Sequence, residues 1–142
     1  MTGPLVIGVG NPLRGDDGAA HHVIERLHER SPDLRCMAVH QLTLDLAADV
    51  AESALALFVD ASVRVSAVTT RRIAPENKGI TSHHVAPETV LSAAEALYGA
   101  RPPAWLIEVP ASALDHGYNL STTTESAIEQ AISEVEALLA AP

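Results

Sequence analysis

The chain has 142 residues, 47% apolar and 19% charged, so residues 1–142 are expected to form one globular domain and a disordered protein is excluded. Nine basic residues against eighteen acidic ones give a net charge of −9, which argues against nucleic acid and anionic membranes as partners. The single cysteine, Cys36, excludes an internal disulfide and a thiolate-cluster metal site. Residues 1–10 lack a signal-peptide pattern and no apolar run is long enough to span a membrane, so we expect a cytoplasmic protein.

Short apolar runs alternate with stretches in which apolar residues recur at helical spacing. The predicted strands are residues 5–9, 35–40, 55–59, 65–73 and 105–109, the fourth being more polar, as in an edge strand. The predicted helices are residues 20–30, 42–51 with Thr43 as its cap, 87–98, and a last one that opens near residues 121–124. This order predicts an α/β fold, a three-layer sandwich with a mostly parallel sheet and helices on both faces.

Polar residues follow several predicted strands, where the loops of a parallel sheet converge. Asp17 lies in the glycine-rich loop after the first strand, Asp60 directly follows the third, and His83 and His84 precede the helix at residue 87. Two carboxylates and one imidazole suit a borderline divalent ion such as nickel, zinc or iron. The sequence therefore predicts a site that contains Asp17, Asp60 and one of the two histidines.

Each of these residues also has an ordinary structural explanation. Asp16 and Asp17 could complement the dipole of the following helix, and a lone loop histidine is usually structural. Nucleotide binding is disfavoured, because Leu13 stands where the dinucleotide fingerprint needs its third glycine and the two aspartates repel phosphate. The motifs of zinc and serine proteases are absent, and Cys36, inside a predicted strand, is expected to be a core residue.

The combination of motifs resembles one family, the maturation endopeptidases of nickel–iron hydrogenases. The most specific match is the block Gly-Val-Gly-Asn-Pro-Leu-Arg-Gly-Asp-Asp-Gly at residues 8–18, which is similar to the family's N-terminal signature. Residues 40–47 are similar to a Gln-Leu-Thr-Pro-Glu-Leu stretch of some branches, and residues 58–61 and 82–84 follow in the expected order. The likeness extends over essentially the whole chain.

The resemblance implies a twisted, largely parallel five-stranded sheet and an endopeptidase that removes the C-terminal extension of a hydrogenase large-subunit precursor. The family's metal-contacting positions map onto Asp17, Asp60 and His83, and counting back from residues 90–92 favours His83 over His84. By the same resemblance no metal is permanently bound. The three residues would instead contact the nickel already inserted in the precursor, while a water attacks the scissile carbonyl.

Three alternatives stay open: a non-catalytic nickel-binding or metal-delivery protein with the same ligands, a hydrolase with its own metal, and a nucleotide-binding module. The expected partner is the precursor, with neither nucleic acid nor a membrane, and the chain is predicted to be a monomer. Asn11 is expected to brace the loop and Asp16 to lie behind the site or cap the helix. Gln41 and Thr43 are expected at the rim, beside the substrate tail.

Overall fold

The computed structural model describes residues 3–81, 84–115 and 117–141. Its strands are β1 (Leu5–Val9), β2 (Arg35–Val39), β3 (Ala56–Ser62), β4 (Thr69–Ile73), β5 (Ile80–Thr81), β6 (His84–Val85) and β7 (Ala104–Pro110). Its helices are α1 (Ala19–Arg30), α2 (Leu46–Glu52), α3 (Pro87–Tyr98) and α4 (Thr122–Ala140). In this described part, no helix combines the length and the apolar character needed to cross a membrane.

Five strands form the main sheet in the order β2-β1-β3-β7-β4. Neighbours pair in parallel except β4, which runs antiparallel to β7 at the edge. The polar fourth strand is therefore an edge strand, as predicted, although it is shorter than residues 65–73. β5 and β6 form a separate antiparallel pair.

Alternating side chains of the central strands fill two core layers. Leu5, Ile7 and Phe58 pack with apolar residues of α2 and α3 on one face of the sheet. Val6 and Leu57 point to the other face and pack with α1 and α4. Because both faces of these strands are covered, their sequences are continuous apolar runs rather than alternating ones. The predicted three-layer α/β sandwich is confirmed.

Helix α3 begins and ends, and helix α4 begins, where the sequence indicates. Pro87 occupies the first turn of α3, and Gly99 ends that helix in the left-handed conformation, with φ of 66°. Ser121 caps α4, because its side-chain oxygen accepts a hydrogen bond from the backbone N–H of Thr124 at 3.3 Å.

The prediction for the second helix is wrong at its start. α2 begins at Leu46 rather than at residue 42, and the Thr43 side chain does not cap it. The Thr43 hydroxyl instead donates a hydrogen bond to the Asp45 carboxylate. The backbone N–H of Leu46 donates to the carbonyl of Thr43 at 3.2 Å, and that of Ala47 to the carbonyl of Leu44 at 3.0 Å. Tight turns therefore occupy these residues before the helix begins.

Candidate active site

The predicted site lies at the carboxyl ends of β1 and β3, which are adjacent parallel strands. Their register pairs Val9, the last residue of β1, with Asp60. The loop after β1 carries Asp17, and a cavity of about 600 Å³ opens between these segments. Asp17 and Asp60 both line this cavity. The structure thus brings together two of the three predicted site residues.

Two glycines allow the loop after β1 to fold back on itself. At Gly10 the backbone φ is +150°, and a Cβ atom would lie 1.9 Å from the carbonyl oxygen of Asp17. At Gly15 φ is +53°, and a Cβ atom would lie 2.5 Å from the carbonyl oxygen of Ala113. Any side chain at either position would both strain the backbone and overlap a neighbouring carbonyl group. These two glycines of the signature therefore allow the loop to pack closely against neighbouring backbone carbonyl groups.

Asn11 holds the carboxylate of Asp17. Its backbone N–H donates to Asp17 Oδ2 at 2.8 Å. Its side-chain oxygen accepts from the backbone N–H of Leu13 at 3.0 Å, which braces the turn as expected. Asp17 Oδ1 accepts no hydrogen bond from a described residue, so this oxygen can contact a ligand in the cavity.

Asp16 is a buried anchor and not a helix cap. Its side chain is 0% exposed, and it lies with Asp17 in a short 3₁₀ turn, Gly15–Gly18, so that the residue before α1 is Gly18. Asp16 Oδ2 accepts from the backbone N–H groups of Ser112 and Ala113 at 2.7 and 2.8 Å. The backbone N–H and the hydroxyl of Ser121 donate to its two oxygens at 2.7 and 2.8 Å.

These bonds explain the charge state of Asp16. Burial alone would raise the pKa of its carboxyl group, but the hydrogen bonds from Ala113, Ser112 and Ser121 outweigh burial and hold the pKa well below its usual range. The ionised carboxylate ties the loop after β1 to the segment between β7 and α4. Asp16 thereby fixes the backbone next to Asp17.

The carboxyl group of Asp60, unlike that of Asp16, has a raised pKa. Burial, then the negative charges of Asp17 and Glu108, raise the pKa of its carboxyl group from 3.8 to about 7, although a hydrogen bond from the Ala61 backbone N–H acts in the other direction. A carboxyl group with such a pKa exchanges a proton readily near neutral pH, which suits general acid–base chemistry. The repulsion between Asp17 and Asp60 also favours any cation that binds between them.

The third predicted residue, His83, lies outside the described residues. The neighbouring segment is nevertheless close to the site, because Val85 of β6 and Pro87 of α3 both line the cavity. Within residues 3–81, 84–115 and 117–141, no three His, Cys, Asp or Glu side chains converge as a metal site would require. Of the three predicted residues, the described part therefore contains the two carboxylates.

Two further histidines, not predicted from the sequence, lie near the site. His40 follows β2 and lines the cavity. His21 lies in α1, and its Nε2 is 2.7 Å from the carbonyl oxygen of Gly10, beneath the glycine loop. The two rings pack edge to face with their centres 6.1 Å apart. Their position could have been found from the topology, since β2 is the neighbour of β1 and its carboxyl end lies at the same edge.

Of the two residues predicted to lie at the rim beside the substrate tail, one lines the cavity. Gln41 lines the cavity, beside His40. Thr43 is not part of the cavity wall and bonds Asp45 instead. Cys36 is partly buried in β2 and packs against the core, and burial raises the pKa of its thiol. These features agree with its expected structural role.

A second groove of about 420 Å³ adjoins the cavity and shares Asp60, Ala61 and Pro87 with it. Its other walls include three cationic side chains, Arg64, Arg71 and Lys78, and the carboxylates of Glu88 and Glu108. Asp60 thus lies where the cavity and the groove meet. A chain segment that crosses this carboxylate has room on both sides.

Three solved structures match the chain over nearly its whole length. The hydrogenase maturating endopeptidase HybD from E. coli matches with a TM-score of 0.79 at 25% identity, over 97% of this chain and 92% of that one. The solution structure of an endopeptidase from Escherichia coli matches with 0.76 at 27% identity, over 97% and 92%. The hydrogenase 2 maturation peptidase from a Thaumarchaeota archaeon matches with 0.70 at 25% identity, over 98% and 99%. No protein-family model and no curated protein sequence matches the chain.

Proposed function

We infer that the chain belongs to the family of hydrogenase maturation endopeptidases, whose solved structures it resembles, and we propose that it removes the C-terminal extension of a nickel-loaded hydrogenase large-subunit precursor. The observation that carries the proposal is the pair of carboxylates, Asp17 and Asp60, at the wall of one open cavity. The precursor is the substrate, and its nickel is the feature that the site recognises.

Recognition of nickel follows from the electrostatics of this pair. Two carboxylates that repel each other gain from a cation that binds between them, and oxygen and imidazole nitrogen are suitable ligands for nickel. Asp17 offers Oδ1, because Oδ2 is engaged by the Asn11 N–H. Asp60 and His83 complete the proposed set. A precursor without nickel brings no charge to offset the repulsion and is bound less well.

Hydrolysis requires a group that takes a proton from water and returns it to the leaving amine. We assign this role to the carboxylate of Asp60, which lies where the cavity and the adjoining groove meet; its raised pKa of about 7 is that of the free protein, before nickel offsets the repulsion by Asp17. In the first step, a water oxygen adds to the scissile carbonyl carbon and its proton passes to the Asp60 carboxylate. In the second, the C–N bond breaks and the amine takes this proton. The nickel held beside the bond positions the substrate for the attack.

The remaining features of the proposal concern the resting enzyme. We propose that it works in the cytoplasm as a monomer and holds no permanent metal, since the nickel arrives with the substrate. The cavity is open and polar enough to admit a protein segment, because Arg14, His40 and Gln41 share its wall with the two aspartates. Neither nucleic acid nor a membrane is part of this proposal, in keeping with the net charge of −9.

The test compares three Asp→Asn variants on a nickel-loaded precursor, followed by intact mass spectrometry. Asp60→Asn is expected to reduce cleavage by at least about a hundredfold, the usual scale for loss of a general acid–base group. Asp17→Asn is expected to reduce it as well, because it removes a charge that contacts the nickel. Asp33→Asn, which removes the same charge from an exposed position, is the matched control and should cleave normally. Cleavage at the wild-type rate by Asp60→Asn would refute the assignment.

A further inference from the structure

Most cationic side chains of this acidic protein already have a partner. Of its nine lysines and arginines, six form ion pairs with described carboxylates: Arg26, Arg30, Arg35, Arg71, Lys78 and Arg101. A seventh, Arg72, lies over the ring of Trp105 at 5.9 Å. The other two, Arg14 and Arg64, form no ion pair with a described residue, although acidic residues outnumber basic ones two to one.

These two arginines flank the aspartate pair. Arg14 lines the cavity that contains Asp17 and Asp60, and Arg64 lines the adjoining groove that also contains Asp60. Both are exposed. In the groove, Glu88 is already engaged by Lys78 at 3.0 Å and by Arg71 at 3.7 Å. The guanidinium group of Arg64 therefore remains available on that side of Asp60.

Each arginine lies in a hydrogen-bonded turn close in the chain to its aspartate. The backbone N–H of Asp17 donates to the carbonyl of Arg14 at 3.1 Å. Beyond Asp60, the backbone N–H of Arg64 donates to the Ser62 hydroxyl oxygen at 3.1 Å, in the turn that ends β3. The two guanidinium groups thus start from fixed backbone positions on the two sides of the site.

We propose that Arg14 and Arg64 bind acidic side chains of the precursor on the two sides of the scissile bond. The inference rests on the proposed function and adds the chemistry of substrate selection to it. Arginine binds carboxylates through two parallel N–H groups, which selects for both charge and orientation. On a surface whose net charge is strongly negative, two unpaired guanidinium groups beside the site attract an acidic segment that the rest of the surface repels.

The first experiment measures steady-state cleavage of the nickel-loaded precursor by Arg14→Gln, Arg64→Gln and the double variant. The control is Arg101→Gln, which removes the same charge from an exposed residue that lines a separate depression. We expect the KM of the double variant to rise about tenfold with kcat within twofold, because these contacts hold substrate and transition state alike. Unchanged KM in the double variant, or an equal rise in Arg101→Gln, would overturn the proposal.

A second experiment measures binding directly and needs no cleavage. Hexaglutamate and hexaglutamine peptides are titrated into the wild-type protein and the double variant by calorimetry. We expect hexaglutamate to bind the wild type at least about tenfold more tightly than hexaglutamine, with this preference lost in the double variant. Equal binding of the two peptides refutes the arginine assignment. Failure of the wild type to cleave a nickel-loaded precursor refutes the proposed function instead, so the two failures are distinguishable.

Discussion

Replacement of Asp60 by asparagine should make the free protein more stable, and more so at high pH. The folded protein raises the pKa of this carboxyl group from 3.8 to about 7, by burial and by the charges of Asp17 and Glu108. Between about pH 4 and pH 7, Asp60 therefore keeps a proton in the folded state that it has released in the unfolded state. Stability falls as the pH rises from about 4 to about 7, and the full penalty is present above pH 7. Asparagine has the same shape and carries no such penalty.

The size of the effect follows from proton linkage. One unit of pKa shift corresponds to about 1.4 kcal/mol. Between pH 5 and pH 8, the raised pKa of Asp60 therefore lowers the free energy of unfolding by about 1–3 kcal/mol. The stability gain of Asp60→Asn over wild type should therefore be larger at pH 8 than at pH 5 by this amount. Asp17→Asn should reduce the same pH dependence, because it removes one of the charges that raise the Asp60 pKa.

The assay is urea unfolding of wild type, Asp60→Asn and Asp33→Asn at both pH values, with the titration of the Asp60 carboxyl carbon followed by NMR. Asp33 is exposed, so its variant controls for the loss of one charge from the chain. An Asp60→Asn variant that is less stable than wild type at pH 8, or a difference that does not change with pH, would contradict the reasoning. A carboxyl group that titrates near pH 4 would contradict it independently.

Three other substitutions test the construction of the site. Asp16→Asn places an amide donor against backbone N–H donors, so we expect a loss of about 2–4 kcal/mol in urea unfolding, and an unchanged midpoint would refute the anchoring role. Gly10→Ala brings a Cβ to 1.9 Å from a carbonyl oxygen and should lower stability and stop cleavage, whereas Gly3→Ala, with nothing within 4 Å, should change neither. His83→Ala should stop processing of the nickel-loaded precursor and His84→Ala should not; the reverse result in a mass-spectrometric assay would move the predicted ligand by one residue.

The architecture was predictable because local patterns and burial agree. Strand β1 and residues 56–59 of β3 are apolar, since helices cover both faces of the sheet, and this pattern can be recognised without tertiary information. Their parallel pairing then brings the loop with Asp17 close to Asp60. The convergence of these two carboxylates in one cavity could therefore be inferred from sequence order alone.

Other features depend on contacts that are distant in the sequence. The role of Asp16 depends on donors from Ser112, Ala113 and Ser121, about a hundred positions away, so its sequence neighbours suggest only a helix cap. The start of α2 was misplaced because consecutive turns at residues 43–47 compete with a helical turn there. The raised pKa of Asp60 likewise results from burial and from Glu108 on a strand late in the chain.

The most direct test of the account compares two forms of one precursor. The purified protein is incubated with the hydrogenase large-subunit precursor from the same organism, nickel-loaded or nickel-free, and the products are weighed by intact mass spectrometry. We predict loss of a C-terminal peptide from the nickel-loaded form only, and no loss with Asp60→Asn. Equal cleavage of both forms would contradict nickel recognition, and nickel binding by the protein without cleavage of the loaded precursor would indicate metal delivery instead.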